Sequence, residues 1–170
     1  MQRTLWLIRH AKAENPSLGQ SDPNRALAAQ GVADLDATVN HLAAENLAPV
    51  QWLWTSAAVR TRQTAKPLAK LWQCQVIAEA SLYAADPWAL LDCLQGTPAD
   101  CVHGALVGHN PGISQLAHYI TDPAGQRALH PDLPTLGAVH LTFDGHWHEL
   151  CAGACSLLRY VTPRFLRGGC

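Results

Sequence analysis

Short apolar runs alternate with segments of helical periodicity along most of this chain, and this alternation restricts the folds that it can adopt. The apolar runs predict strands at residues 3–9, 50–54, 75–78 and 102–107, and the periodic segments predict helices at residues 26–45, 57–71, 87–94 and 111–120. Strands that alternate with helices pair in parallel and are covered by helices on both faces. We therefore expect an α/β fold, a three-layer α/β/α sandwich with a mainly parallel sheet.

The C-terminal part of the chain has a different pattern. Residues 138–143 and 146–150 resemble two strands that flank Asp144-Gly145, a dipeptide typical of tight turns. This pattern predicts an antiparallel hairpin at an edge of the sheet. Residues 15–23, which contain Asn, Pro, Ser, Gly and Asp, are predicted to form a loop. We find no linker, and residues 1–170 are expected to form one domain.

Polar side chains follow three of the predicted strands, at the point where each strand ends. Arg9 and His10 come after the first strand, Ser56 comes after the second with Arg60 one helical turn later, and His109 comes after the fourth. Ligands of open α/β sheets bind beyond the carboxyl ends of the strands. We therefore expect two arginines and two histidines to converge on one rim of the sheet.

These residue types point to a phosphoryl group. Arginine presents a planar fork of donors that matches phosphate oxygens, and the helix starts near Ser56 and His109 add backbone N–H groups. A neutral histidine can attack phosphorus and carry the phosphoryl group, while a second histidine stabilises charge or moves protons. Because no glycine-rich Walker loop is present, nucleotide hydrolysis by that route is not expected.

Composition excludes several other classes of function. The formal net charge of -1 gives no general attraction for nucleic acid or for acidic membranes, and no apolar run is long enough to span a membrane. A leader peptide is not recognisable, so a cytoplasmic location is expected. Six cysteines without a close C-x-x-C pair are expected to be reduced and mostly buried: Cys74, Cys93, Cys101, Cys151, Cys155 and Cys170.

Three motifs in this order resemble those of the histidine phosphatase superfamily. They are Arg9-His10-Ala11, Ser56-x-x-x-Arg60 followed by Gln63-Thr64-Ala65, and Val107-Gly108-His109-Asn110-Pro111. Asp22-x-x-Arg25-x-Leu27 followed by Gly31, and the tail from Trp147 to Pro163, resemble the same superfamily. The chain is most similar to its short phosphohistidine phosphatases of the SixA type, which implies a phosphoglycerate mutase-like fold.

The resemblance also implies roles for the residues at the strand ends. His10 would be the phosphorylated nucleophile, and Arg9, Arg60 and His109 would surround the phosphate. Arg25 would reach the substrate. Ser56 is a candidate substrate-binding residue, although we expect its main role to be capping of the following helix. No metal or organic cofactor is implied.

Larger members of the superfamily carry a carboxylate general acid on an inserted segment, and this chain is too short there to hold one. Glu79 is the candidate acid and Asp86 a poorer one. Without an acid, the leaving group must be easily protonated, which favours protein phosphohistidine on a phosphotransfer partner. The alternatives are a phosphatase of the same fold that acts on sugar or other small phosphate monoesters, and a phosphate-binding module without catalysis.

His140, His146 and His148 raise the question of a metal site. A hairpin that faces water explains these three histidines as well, and no cysteine or carboxylate is placed to complete a zinc site. We therefore expect no metal centre.

Overall fold

The computed structural model describes residues 1–168, whose six strands form one sheet. The strands are β1 (Gln2–Arg9), β2 (Trp52–Ser56), β3 (Gln75–Glu79), β4 (His103–Gly108), β5 (Ala138–Asp144) and β6 (Ser156–Val161). The α-helices of this part of the chain are α1 (Ala29–Ala44), α2 (Val59–Trp72), α3 (Pro87–Gln95), α4 (Gly112–Ile120), α5 (Pro123–Gln126) and α6 (Pro163–Leu166). The eight long predicted elements are therefore confirmed, with shifts of a few residues at their ends.

The strand order in the sheet is β3-β2-β4-β1-β5-β6. The pairs β3–β2, β2–β4 and β4–β1 are parallel, whereas β5 pairs in antiparallel fashion with both β1 and β6. The sheet is thus mainly parallel with an antiparallel pair at one edge. The predicted α/β fold is confirmed.

The side chains of β1 alternate between two apolar cores. Leu5 and Leu7 belong to the core that lies beneath α3 and α4, while Trp6 and Ile8 belong to the core beneath α1 and α2. All four side chains are almost completely buried. Because consecutive residues of a strand point to opposite faces, a buried strand with helices on both sides must be apolar throughout. This is the reason that the apolar run stops only at Arg9.

The predicted position of the second hairpin strand, residues 146–150, is wrong. Trp147–Glu149 forms a short 3-10 helix, and the strand that pairs with β5 is β6. Trp147 is buried, its indole N–H donates to the carbonyl of Cys101 at 2.8 Å, and its ring lies so close to Gly104 that a Cβ there would be 2.7 Å from it. Burial of this large ring draws the segment away from the sheet edge.

The start of α1 lies three residues later than predicted, because the backbone N–H groups of the two preceding residues donate hydrogen bonds to other parts of the chain. The backbone N–H of Leu27 donates to Oε1 of Gln63 at 2.7 Å, and that of Ala28 donates to the carbonyl of Lys12 at 2.9 Å. These bonds fasten the segment before α1 to α2 and to the residues that follow His10. The loop at residues 15–23 is therefore held close to the end of β1.

The five cysteines within residues 1–168 are free thiols. Cys101 and Cys155 are buried, Cys74 and Cys93 are half-buried, and Cys151 is exposed. Cys170 lies outside the described residues. None of the helices in this part of the chain combines the length and apolar character that crossing a membrane requires.

Candidate active site

The register of β1 and β4 brings two histidines together. Arg9 pairs with Gly108 across the two parallel strands, so the next residue of each strand, His10 and His109, emerges at the same edge of the sheet. Their ring centroids are 5.2 Å apart with planes inclined at 62°. The predicted convergence of these two histidines is observed.

His10 has a defined tautomer. Its Nδ1 atom lies 2.8 Å from the carbonyl oxygen of Ala11. Because a carbonyl oxygen only accepts, Nδ1 must carry the ring proton, and the lone pair of the neutral ring is therefore on Nε2. Arg60 donates its Nε–H to this Nε2 atom at 3.3 Å. The lone pair of His10 thus accepts a hydrogen bond from a cationic guanidinium.

The pKa of His10 is lowered to about 4: burial is the main cause, the positive charges of Arg60, Arg9 and Arg25 act in the same direction, and the hydrogen bond to the Ala11 carbonyl opposes them. Burial also lowers the pKa of His109 to about 3, with smaller contributions from His10 and Arg60. Both rings are therefore neutral near pH 7. A neutral imidazole is the form that can act as a nucleophile.

Ser56 supports His109 from inside the protein. The Ser56 hydroxyl, which is fully buried, lies 2.8 Å from Nε2 of His109 and accepts the backbone N–H of Ala58 at 3.2 Å. Since the serine oxygen already accepts from Ala58, its own proton can be donated to Nε2, which leaves the ring proton of His109 on Nδ1. That Nδ1 is buried without a partner among the described residues. The expectation that Ser56 mainly caps the following helix is wrong, because the N-cap of α2 is Ala58 and has no side-chain cap hydrogen bond. Ser56 holds His109 instead, a contact that the sequence did not reveal.

Arg9 is anchored by one end of its guanidinium. Its NH1 group donates to the carbonyl of Leu133 at 2.6 Å, whereas its Nε–H is buried without a partner within residues 1–168. Two of the residues expected to hold phosphate, Arg9 and His109, therefore each keep one unpaired buried nitrogen. A buried donor without a partner costs about 1–3 kcal/mol, which an anion bound to it would recover.

Arg9, His10, Arg60 and His109 line a pocket of about 420 Å³, whereas Ser56, the candidate substrate-binding residue, does not. Its lining comprises Arg9, His10, Lys12, Ala13, Asp22, Arg25, Arg60, Tyr83, Ala84, His109, Asn110 and Thr135. Four lining residues have strongly basic side chains, namely Arg9, Lys12, Arg25 and Arg60, and one, Asp22, carries a carboxylate. The pocket is thus built to attract an anion.

Asp22 and Tyr83 are functional candidates that the sequence reasoning missed. The Asp22 carboxylate receives hydrogen bonds from Arg60 at 2.9 Å, from Arg25 at 2.8 Å and from the Tyr83 hydroxyl at 2.5 Å. The bond from Tyr83, followed by those from Arg25 and Arg60, holds the pKa of Asp22 well below its usual range. Asp22 belongs to the motif Asp22-x-x-Arg25-x-Leu27, and this motif was the signal for Asp22 that the sequence contained.

Glu79 and Asp86, the two predicted acids, do not line this pocket. Glu79 is the last residue of the edge strand β3 and is exposed to solvent. The Asp86 carboxylate accepts the backbone N–H groups of Trp88 and Ala89 and thereby caps α3. Arg25, by contrast, lines the pocket together with Arg60.

The three histidines considered for a metal site are not brought together. His140 is buried against Trp6, with ring centroids 4.2 Å apart, and so does not face water as expected. His146 and His148 are exposed and stack on each other. In the described part of the chain, no group of three or more potential ligand side chains is placed to hold a metal ion.

Comparison with known proteins identifies relatives over nearly the whole chain. The family model for the histidine phosphatase superfamily (branch 1) matches residues 5–86. An uncharacterised protein of Mycobacterium tuberculosis is 30% identical over 166 residues, which cover 92% of this chain and 100% of that protein.

Solved structures agree with this assignment. A candidate phosphohistidine phosphatase SixA from Nakamurella multipartitia superposes with a TM-score of 0.80 at 26% identity and covers 96% of this chain and 97% of its own. A candidate SixA from Agrobacterium tumefaciens has a TM-score of 0.81 at 23% identity, with 95% and 98% coverage, and supports the fold. A protein histidine phosphatase SixA complexed with tungstate supports the fold as well, with a TM-score of 0.78 at 17% identity and 96% and 99% coverage.

Proposed function

The chain belongs to the histidine phosphatase superfamily and is a phosphatase, and on this basis we propose that it hydrolyses protein phosphohistidine through a phosphoryl group carried on His10. The observation that carries the mechanism is the tautomer of His10. Its Nδ1–H is bound to the Ala11 carbonyl, and its Nε2 lone pair is directed at the Arg60 guanidinium. The proposed nucleophilic atom, Nε2 of His10, and a cation suited to bind phosphate, Arg60, therefore lie next to each other in one pocket.

Three side chains are proposed to bind the transferred phosphoryl group. Arg60 offers its guanidinium beside His10, while Arg9 and His109 each contribute the buried nitrogen that has no partner within the described chain. Donors that are already oriented before the substrate arrives stabilise the charge of the transition state without a cost of reorganisation. This support requires no metal or organic cofactor.

The proposed reaction has two steps. In the first, Nε2 of His10 attacks phosphorus, the new P–N bond forms, and the P–N bond of the substrate breaks with its electron pair going to the leaving imidazole. In the second, water attacks the phosphoryl group on His10, and the electron pair of the breaking bond returns to Nε2. Inorganic phosphate then leaves the pocket, and the neutral histidine is restored.

The choice of phosphohistidine rests on the leaving group. The carboxylate that lines the pocket, Asp22, accepts from two arginines and a tyrosine and is ionised, so it has no proton to give in the first step. A phosphorylated imidazole readily brings its own proton, whereas a sugar alkoxide needs one. The likeness to a candidate phosphohistidine phosphatase at 26% identity over 96% of the chain supports the same choice. Within the proposal, the substrate is the phosphotransfer domain of a cytoplasmic protein.

Replacement of His10 tests the mechanism. His10→Ala is expected to abolish release of phosphate from a phosphorylated phosphotransfer protein and to leave the circular dichroism spectrum unchanged. His148→Ala, which removes an exposed histidine outside the pocket, is the matched control and should retain full turnover. Normal turnover by a folded His10→Ala variant would contradict the mechanism.

The rival functions make different predictions. A monoester phosphatase should prefer sugar phosphates to phosphohistidine in a substrate panel, and a role for Glu79 as the acid would make that activity sensitive to Glu79→Gln. A binding module without catalysis should bind phosphate tightly but yield no phosphoenzyme on rapid quenching. We expect neither result, because Glu79 does not line the pocket and the His10 ring is neutral with its unprotonated nitrogen, Nε2, beside Arg60.

A further inference from the structure

Asp22 occupies a position that the proposed two-step reaction leaves unexplained. It provides the carboxylate among the pocket-lining residues of the described chain, and about half of its side chain, 47%, is open to solvent. It lies on the loop before α1, in the short 3-10 helix Asp22–Asn24, rather than on the segment between β3 and β4. A carboxylate repels an anionic ligand in the same pocket, so its presence there calls for an explanation.

Arg60 holds Asp22 at two points. Its NH1 group donates to the backbone carbonyl of Asp22 at 2.7 Å, and its NH2 group donates to the carboxylate at 2.9 Å. The Nε–H of the same guanidinium donates to Nε2 of His10. One rigid planar group thus sets the position of the carboxylate relative to the nucleophile.

Arg25 and Tyr83 hold the carboxylate from its other sides. Arg25 binds Oδ1, while Tyr83 donates its hydroxyl to Oδ2 and lies with its ring 5.5 Å from that of His109. The carboxylate is therefore fixed at the pocket wall although it remains accessible to water. A fixed, hydrated carboxylate is suited to receive a proton from a water molecule.

We propose that Asp22 is the general base of the second step, an inference that rests on the proposed phosphoryl group on His10. Asp22 accepts a proton from the water molecule as its oxygen attacks phosphorus. The O–P bond forms, the P–Nε2 bond breaks, and the electron pair returns to His10. The proton then passes from Asp22 to solvent when phosphate leaves.

A phosphoryl group on His10 would change the pairing of Asp22 in a direction that suits this role. Hydrogen bonds from Tyr83, Arg25 and Arg60 hold the pKa of the carboxyl well below its usual range, so it is ionised. A phosphoryl group that shares the Arg60 guanidinium adds a negative charge nearby and weakens one of these bonds. Both changes raise the pKa of Asp22, and the carboxylate becomes a better base when the phosphoryl group is present.

The test separates formation of the phosphoenzyme from its breakdown. Wild-type protein and Asp22→Asn are mixed with radiolabelled phosphoramidate, and the label on the protein is followed by rapid quenching. We expect Asp22→Asn to form the phosphoenzyme within a few-fold of the wild-type rate and to break it down about 100-fold more slowly, the smallest loss typical of a removed general base. Asp36→Asn, on the exposed side of α1, is the matched control and should behave as wild type.

Hydroxylamine distinguishes a base from a positioning residue. It attacks phosphorus without first losing a proton, so it should discharge the phosphoenzyme of Asp22→Asn as fast as that of the wild type. Discharge that is slowed as much as hydrolysis would mean that Asp22 only orients Arg60, and this would overturn the proposal. Hydrolysis of the Asp22→Asn phosphoenzyme at the wild-type rate would overturn it too.

A second variant guards against a folding defect. Asp22→Ser keeps a small polar side chain on the exposed loop and should repeat the slow breakdown. Loss of phosphoenzyme formation in both variants would overturn the proposal. Absence of any phosphoenzyme on the wild-type protein would instead contradict the proposed function itself, so the two failures are distinguishable.

Discussion

The Nε atom of Arg60 lies 3.3 Å from Nε2 of His10, and this contact joins the start of α2 to the end of β1. Arg60 is 50 residues away from His10 in sequence and is only 5% exposed. The other two nitrogens of its guanidinium are bound to Asp22. Arg60 therefore connects the proposed nucleophile with the carboxylate of the pocket.

Arg60→Lys should lower kcat/KM for phosphoramidate by about 100-fold or more, which is typical for loss of one preorganised donor. Lysine keeps the charge but cannot present three N–H groups in a plane to His10 and Asp22 together. Steady-state kinetics measure the effect, with Arg62→Lys on the exposed face of the same helix as the control. Equal kinetics for the two variants would show that the planar fork is unimportant.

Ser56→Ala should reduce both stability and activity. The change removes the partner of His109 Nε2 and of the Ala58 N–H, and unsatisfied buried groups of this kind cost about 1–3 kcal/mol each. We expect a lower urea midpoint and a slower rate of phosphoenzyme formation. Ser81→Ala at an exposed position serves as the control. Unchanged phosphoenzyme formation would mean that His109 needs no support from Ser56.

Gly31→Ala should destabilise the protein, although the same change in an exposed helix interior usually stabilises by about 1 kcal/mol. A Cβ at Gly31 would lie 2.1 Å from the backbone carbonyl of Lys12. Lys12 follows His10, the proposed nucleophile, by two residues and itself lines the pocket, so the displaced backbone should also disturb the pocket. Urea denaturation gives the sign of the effect, and a midpoint that rises on substitution would contradict this close approach.

Acidification should destabilise the protein before carboxylates titrate. Burial lowers the pKa values of His10 and His140 to about 4 and that of His109 to about 3, from 6.5 in the unfolded chain. Between pH 6.5 and about 4 the unfolded state therefore binds more protons. The free energy of unfolding should therefore decrease as the pH is lowered from 6.5 to about 4, by up to about 1.4 kcal/mol per pH unit for each histidine.

Denaturation at a series of pH values measures this slope. His140→Phe keeps a ring against Trp6 but removes one titrating group. The free energy of unfolding of this variant should therefore depend less steeply on pH, by the contribution of one histidine. NMR titration of the His10 ring should show a midpoint well below 6.5. A midpoint near 6.5 would contradict the neutral, buried ring on which the nucleophilic role depends.

Most of the fold was predictable because its signals are local. Burial of β1 on both faces requires a continuous apolar run, and the helices that cover the sheet carry the matching periodicity. The position of β6 was missed because Trp147 packs against Gly104, a residue distant in sequence. Local turn chemistry at Asp144-Gly145 indicated a hairpin whose partner strand in fact begins at Ser156.

The residues of the candidate site were likewise predictable from the sequence only in part. Arg9, His10, Arg60 and His109 were recognisable because polar residues at the ends of parallel strands must share one edge of the sheet, and the structure places all four around one pocket. Glu79 was the candidate acid because it directly follows the third predicted strand, residues 75–78. Its edge strand ends outside the pocket, whereas Asp22 reaches the pocket from a loop whose path the sequence does not specify.

The sequence by itself determined the α/β architecture and the chemistry of the strand ends, because alternation and periodicity are properties of neighbouring residues. Tertiary structure alone decided which nitrogen of His10 is free, which residue supports His109, and which carboxylate enters the pocket. Each of these depends on contacts between residues far apart in the chain, such as Ser56 with His109 and Asp22 with Arg60. Such contacts arise from packing and loop closure, which no local pattern encodes.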